Sequence, residues 1–374
     1  MNSNDFKYHI GILTMNGYNN YGNILQNYAL QNILKNLKIC CNTIWFDKKN
    51  YGGLVKPHLT FKEKIKFIIN YNNYRNRIFR EIPIEYVKNY NLKKFCDKYI
   101  SYDFIEDYSF LDKYDFFIVG SDQVWNPFFW KNKTFYSKFM LLSFVEPHKR
   151  IAYAASFGIS YLPNRFKTLF KKNLSCFNKI SVREKDASEI VEKLNGYKPP
   201  VVLDPTLLVP AEDWRKIEIE PEWLNTDRYI LTYFLGKMPS SVINYANNKN
   251  LKIINLMDYN NVSVYSTRVE EFLYLLDHAS FIFTDSFHGT VFSIIFNKKF
   301  ITFDRISKKC PNMTSRLSTL FSTLGIKQDI VNNDNSSFEF DSFCKIDYEN
   351  VRIKLETERM KSIDFLKNSI FSSL

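Results

Sequence analysis

The stretch 281–300, FIFTDSFHGTVFSIIFNKKF, sets a carboxylate, a hydroxyl and an imidazole close together at Asp285, Ser286 and His288. The apolar run Phe281–Phe283 before them reads as a strand, and a helix-length apolar run follows from Gly289. Ligands bind at such strand tips in open α/β sheets. A helix N-terminus there presents unpaired N–H groups and a favourable dipole to an anion. Imidazole is the side chain most readily poised for proton transfer near neutral pH. The chemistry that fits is acid–base work on a bound anion. The alternative is that Asp285 and Ser286 only cap the helix and His288 only packs. Of the five histidines, the other four have poorer settings. His9 lies in a strand pattern, His58 follows a proline, His148 sits in a charged loop and His278 ends a helix.

Three further groups carry chemistry. Arg183 ends the apolar run Ile180–Val182, and a guanidinium at the tip of a buried strand needs an anion. That anion is a substrate carboxylate or phosphate, or else a structural partner such as Glu184 or Asp186. Gly120-Ser121-Asp122-Gln123 with Trp125 places polar groups and an indole at another strand tip. This suits a sugar, although on pattern alone a turn with a buried Trp is the favoured reading. Asn16–Gln26 carries Gly17 and Gly22 ahead of a helix, with Asn23 as its expected N-cap. It is either a phosphate cradle or a plain connection, and it is neither GxGxxG nor a P-loop. No metal-spaced Cys/His cluster and no G-x-S-x-G elbow occurs.

A repeated strand–loop–helix order must position these groups. Strands are expected at 8–14, 116–119, 151–155, 180–182 and 201–203, then at 229–235, 252–256, 281–284 and 300–303. Helices are expected at 24–37, 186–194, 239–249, 269–278, 289–296, 313–324 and 349–370. This alternation predicts parallel sheets in an α/β fold. Pro205, Pro210 and Pro221 mark a break between halves. The division expected is 1–210, 211–345, and a terminal helix from 346–374 that packs back on the first half. Residues 50–100 read as a variable, helical insertion, and 332–341 as a polar loop.

The chain's 374 residues, 45% hydrophobic, suffice for two such domains. The +12 net charge suits anionic substrates or an anionic membrane surface. No Lys/Arg block and no C2H2 or RNP pattern points to nucleic acid, so none is expected as a partner. Six cysteines without a CxxC pair read as reduced thiols in a cytoplasm. The segment MNSNDFKYHIGIL lacks the marks of a signal peptide, and no apolar run reaches the roughly 18 residues of a membrane span. A cytoplasmic protein is expected, with at most peripheral contact to the cytoplasmic face of the membrane.

Four segments together resemble the polysaccharide pyruvyl transferases. They are Gly11–Thr14 with Asn20–Gln26, Phe117–Asn126, Ser181–Glu184 with Val202–Thr206, and Thr284–Thr290. The resemblance implies two Rossmann-like domains in a GT-B-like arrangement with an interdomain cleft. It implies transfer of an enolpyruvyl-derived unit from phosphoenolpyruvate to a sugar of a cell-surface glycan, free or lipid-linked, usually as a cyclic ketal, with no metal or organic cofactor. His288 is then the proton donor, and the general base is His288 after proton loss or Asp122. The donor side comprises Arg183, Ser286, Phe287, Gly289, Arg305 and Arg316. The acceptor side comprises Asn23, Gln26, Ser121, Gln123 and Trp125. One departure stands out: several characterised branches carry Arg-Leu-His where this chain has Ser286-Phe287-His288. Arg305, Arg316, Lys298 and Lys299 are the cations available to replace that arginine. Two other readings compete, a nucleotide-sugar glycosyltransferase of the same architecture and a catalytically silent glycan- or anion-binding protein.

Overall fold

Phe116–Gly120 is buried at every position, as a strand must be when it has neighbours on both sides and cover on both faces. It is β4 of a six-stranded sheet with β1 His9–Leu13, β2 Cys40–Phe46, β3 Tyr102–Ile105, β5 Arg150–Ala155 and β6 Lys179–Val182. The order is β3-β2-β1-β4-β5-β6, and every pairing is parallel. A second parallel sheet has the order β10-β9-β7-β8, from β7 Tyr229–Tyr233, β8 Lys252–Asn255, β9 Phe281–Thr284 and β10 Phe300–Thr302. This computed structural model describes residues 7–46, 84–105, 108–130, 133–305, 314–328, 330–331 and 345–372. The expected insertion lies outside the described residues as far as 83, and from there one helix runs Ile84–Tyr99. The polar loop over 332–341 also lies outside them.

The α/β class and its two parallel sheets are those the apolar runs predict. Three local expectations need correction. The first helix spans Tyr21–Asn36 and is capped by Asn20, not Asn23, because the Asn20 carboxamide accepts from Gly22 N at 2.8 Å. Val201–Leu203 forms only a bridge from Val201 to Val182, since Asp204 turns the chain into the short helix Pro205–Leu208. β2 and β3 were not expected at all. β2, CCNTIWF, breaks its apolar run with Asn and Thr, and β3, YDFI, is an edge strand with only Ile105 buried.

One apolar cluster runs from Tyr8 and Ile10 beneath the first sheet through Trp214 to Phe272, Phe292 and Phe321 in the second half. The halves also bond directly. Tyr21 Oη donates to Thr267 O at 2.6 Å, and its ring stacks on Phe272 at 4.2 Å. Asn91 Nδ2 donates to Ser266 O at 2.5 Å. The last helix, Tyr348–Phe371, lies against both halves. Its Ser362 Oγ accepts from Leu203 N at 3.0 Å, and Arg359 Nε donates to Leu207 O at 2.6 Å.

Candidate functional site

In the first sheet the strand order reverses between β1 and β4, the place where open α/β sheets bind ligands beyond the strand tips. β4 ends there in Gly120-Ser121-Asp122. Asp122 has φ +60°, a left-handed conformation uncommon for any residue but glycine and most tolerated by Asn and Asp. β6 delivers Arg183 beside it. The guanidinium donates to Asp204 Oδ2 at 2.7 Å, and its second nitrogen reaches Asp122 Oδ1 at 3.4 Å. Burial opposes the charge of Arg183, but Asp204, Asp122 and Glu184 outweigh it, so its pKa rises. The cation is thus internally paired, though with neither Glu184 nor Asp186, the partners its neighbourhood in sequence suggests. Ser121 Oγ also donates to Asp204 Oδ2, at 2.7 Å.

Asp204 is the hub of this network, and sequence reasoning gave it no role. Its other oxygen accepts from Thr206 N at 3.1 Å and Thr206 Oγ1 at 2.7 Å. Burial pushes its carboxyl up. His288, then Arg183 and Thr206, overcome that and hold it well below the usual carboxylate range. Its sequence signals were its place in the family-like segment Val202–Thr206 and its position as a lone carboxylate between a buried run and a proline.

His288 arrives from the second half. β9 ends in Thr284-Asp285-Ser286, and the helix Phe287–Ile295 begins with Ser286 Oγ accepting from Gly289 N at 3.3 Å. Ser286 is therefore spent as an N-cap, and Gly289 contributes a capped N–H. His288 Nε2 lies 3.7 Å from Asp204 Oδ2, too far for a hydrogen bond, and this buried nitrogen has no hydrogen-bond partner among the described residues. Gly22, in the first turn of the Tyr21–Asn36 helix, approaches the opposite side of the ring. A methyl group built at Gly22 would overlap Nδ1, so only glycine lets the imidazole sit there. Asp285, by contrast, holds the backbone. It accepts from Leu235 N and Gly236 N, both at 2.7 Å, and pairs with Arg305 Nε at 3.3 Å. Arg305 is thereby committed to Asp285, and it also donates to Asp285 O at 2.9 Å.

The phenyl ring of Phe287 carries two guanidinium groups, Arg183 at 4.3 Å and Arg316 at 5.5 Å from its centroid. Arg316 comes from the helix Ser315–Leu324 and is only 6% exposed. Among the described residues it makes no hydrogen bond and no ion pair. Burial, and then the charge of Arg183, lower its pKa to about 10. A buried cation without a close counter-ion is costly until an anion arrives. Glu184, expected from the sequence only as an alternative ion-pair partner of Arg183, instead holds backbone. One of its oxygens accepts from Ser156 Oγ, Phe157 N and Gly158 N at 2.9–3.0 Å. The other is buried without a partner among the described residues. Burial raises its pKa, against the lowering effects of Arg183, Gly158 N and Arg316.

The structure brings only some of the acceptor-side residues to the crevice. Gln26 is fully buried and donates to Thr14 Oγ1 at 2.9 Å, and Thr14 in turn donates to Ser121 O at 3.4 Å. Asn23 is half-buried in the first helical turn. Gln123 lies next to Asp122, its Oε1 accepting from Asn126 Nδ2 at 2.9 Å. Trp125 is in the core. Its Nε1 donates to Met140 O at 2.9 Å, and its ring packs against Phe157 and Phe177, so no face is left for a sugar. Lys298 donates to Asp277 O at 2.5 Å, outside this network. Among the described residues one group, Glu218, Asp277 and His278, brings three metal-ligating atoms together, but the Arg215 guanidinium already occupies both Asp277 oxygens. Among the described residues no helix is long and apolar enough to cross a membrane.

A family profile described as polysaccharide pyruvyl transferase matches residues 20–307, which include Asp122, Arg183, Asp204 and His288. The chain belongs to that family. No curated protein matches the sequence. Among solved structures, the UDP-GlcNAc 2-epimerase of Neisseria meningitidis bound to UDP-GlcNAc is similar at TM-score 0.51 and 10% identity, over 97% of this chain and 99% of that one. A glycosyltransferase from Rickettsia africae is similar at TM-score 0.48 and 10% identity, over 98% and 99%. At such identity the likeness concerns the fold alone. The likeness to the epimerase, at TM-score 0.51, is that of a two-sheet fold of GT-B type.

Proposed function

We propose that this protein transfers a pyruvyl unit from phosphoenolpyruvate to two hydroxyls of a sugar in a glycan, forming a ketal. One observation carries the reading: in a chain of this family, a buried imidazole nitrogen without a hydrogen-bond partner sits against the Asp204 carboxylate, beside the unpaired Arg316. The Asp204 carboxylate lies 3.7 Å from the ring nitrogen of His288 that carries the proton in this reading. His288 delivers that proton to the methylene carbon of phosphoenolpyruvate. The neighbouring carbon becomes electrophilic, and a sugar hydroxyl adds to it. Phosphate then leaves, and the second hydroxyl closes the ring. Of the two hydroxyl protons, one restores His288 and the other departs with phosphate.

Arg316 takes an anionic group of the donor and so fills the role of the arginine that Ser286 replaces. Arg183 serves mainly to fix Asp204 and Asp122. Asp122 keeps one carboxylate oxygen outside these bonds, on the side of a second base. Phosphate release from phosphoenolpyruvate in the presence of a sugar panel, with mass analysis of the product for added pyruvate, tests the reading. Turnover of a nucleotide sugar in its place would make the protein a glycosyltransferase.

A further inference from the structure

Away from the His288 crevice, a cavity of about 350 Å³ opens along the free edge of β8. Its size lies at the lower end of small-molecule pockets, about 300–1,000 Å³. Trp223, Leu224, Ile254 and Val264 give it an apolar base. Asn225, Asn255, Asn261 and Asp258 give it a polar rim.

Each rim side chain has one oxygen anchored. Asn255 Oδ1 accepts from Met257 N at 3.1 Å, and Asn261 Oδ1 accepts from Val264 N at 3.2 Å. Asp258 Oδ1 accepts from Asn260 N at 3.0 Å, and Asn225 Oδ1 accepts from Lys252 Nζ at 2.7 Å. The amide orientations are thereby fixed. Among the described residues, the three Nδ2 groups donate to nothing. The indole Nε1 of Trp223 is likewise buried without a partner. The pocket thus offers oriented neutral donors, one carboxylate oxygen and an indole, and the one cation on its wall, Lys252, is already bonded to Asn225.

We propose that this pocket binds a neutral saccharide unit. Several hydroxyls can accept from the amides and donate to Asp258, and the apolar side of the sugar ring covers Trp223 and Ile254. A phosphorylated ligand fits poorly, because the wall carries a single cation, Lys252, and the Asp258 carboxylate on the same wall offsets its charge. The short helix Val262–Tyr265 supplies Val264 to this pocket, while Tyr265 faces Lys88 of the first half at 4.5 Å. A glycan held here therefore lies beside the junction of the two halves. Binding at this pocket does not depend on the transfer reaction, so either claim can fail alone.

The test uses the full chain labelled with ¹⁵N and follows the Trp223 indole resonance, one of five, assigned through Trp223→Phe. The probes are methyl glycosides of glucose, galactose, mannose and N-acetylglucosamine. At least one should move the Trp223 resonance saturably. Asn255→Asp with Asn261→Asp keeps the anchoring oxygens and deletes two donors, and should raise the midpoint about tenfold or more. A Trp223 resonance that responds to no glycoside, or an unchanged midpoint in the double variant, overturns the proposal. If the double variant melts early, Asn225→Ala, which removes a bond only to exposed Lys252, takes its place. A raised midpoint supports the proposal and an unchanged one overturns it.

Discussion

His288 is held by contacts on two sides, the Asp204 carboxylate and the bare backbone of Gly22. Removing the imidazole should therefore cost general acid catalysis. His288→Ala is expected to lower phosphate release by about 10²–10⁴-fold, and a folded circular-dichroism spectrum separates that loss from unfolding. Gly22→Ala tests the ring's position without touching its chemistry. The added methyl must push Nδ1 aside, so kcat should fall about a hundredfold while the far-ultraviolet circular dichroism stays that of the wild type. Arg316→Met removes a buried guanidinium that has neither a hydrogen bond nor an ion pair among the described residues. It should raise the KM for phosphoenolpyruvate by about tenfold to a hundredfold, as expected for a lost charge-assisted bond. An unchanged KM would assign the donor's charge to another group. His288 and Arg316 were both visible in the sequence as candidates, but the carboxylate that faces His288 was not. Asp204 lies far from His288 along the chain, and only the fold brings them together. Trp125 shows the converse: a strand-tip indole reads the same in sequence whether it faces a ligand or, as here, Met140 O.

At the scale of elements, the turn after β5 depends on Glu184 at the tip of β6. One carboxylate oxygen collects Ser156 Oγ, Phe157 N and Gly158 N, and the other meets no donor among the described residues. Burial raises the carboxyl's pKa above its unfolded value. Such a group favours the fold below the unfolded pKa of about 4.3, and that contribution is lost as pH rises through the folded pKa. Glu184→Gln retains the acceptor oxygen and removes the buried charge. It should raise the melting temperature at pH 8 and leave it close to the wild type at pH 4. A variant that melts lower at pH 8 would show that the carboxylate is stabilised by its donors more than it is opposed by burial. The elements themselves were legible wherever burial on both faces produced an unbroken apolar run, as in β4 and β9. They were not legible where an edge position permits polar residues, as in β3, or where Asn and Thr interrupt the run, as in β2.

At the scale of the whole molecule, the two halves share one apolar cluster, and the terminal helix closes over it. Leu366 and Ile370 of that helix are fully buried, and Ser362 and Arg359 hold the segment that carries Asp204. Leu366→Ala should cost about 2–5 kcal/mol, as for other buried leucines, in a single unfolding transition read by both circular dichroism and fluorescence. Two separate transitions would mean that the shared cluster does not couple the halves. The alternation of strands and helices announced two α/β halves from sequence alone. That they meet through Tyr21, Asn91 and Phe272, and bring Gly22 against His288, could not be read there, because no local pattern encodes which surfaces meet.

The central claim is that His288, set against Asp204, protonates phosphoenolpyruvate. The most direct measurement is single-turnover transfer in deuterium oxide, with phosphoenolpyruvate and an accepted sugar, for the wild type and His288→Ala. The account predicts one deuterium in the methyl group of the new ketal with the wild type, and at least a hundredfold slower appearance of that product with the variant. Equal rates for the two proteins, or a product whose methyl group carries no solvent deuterium, would contradict it.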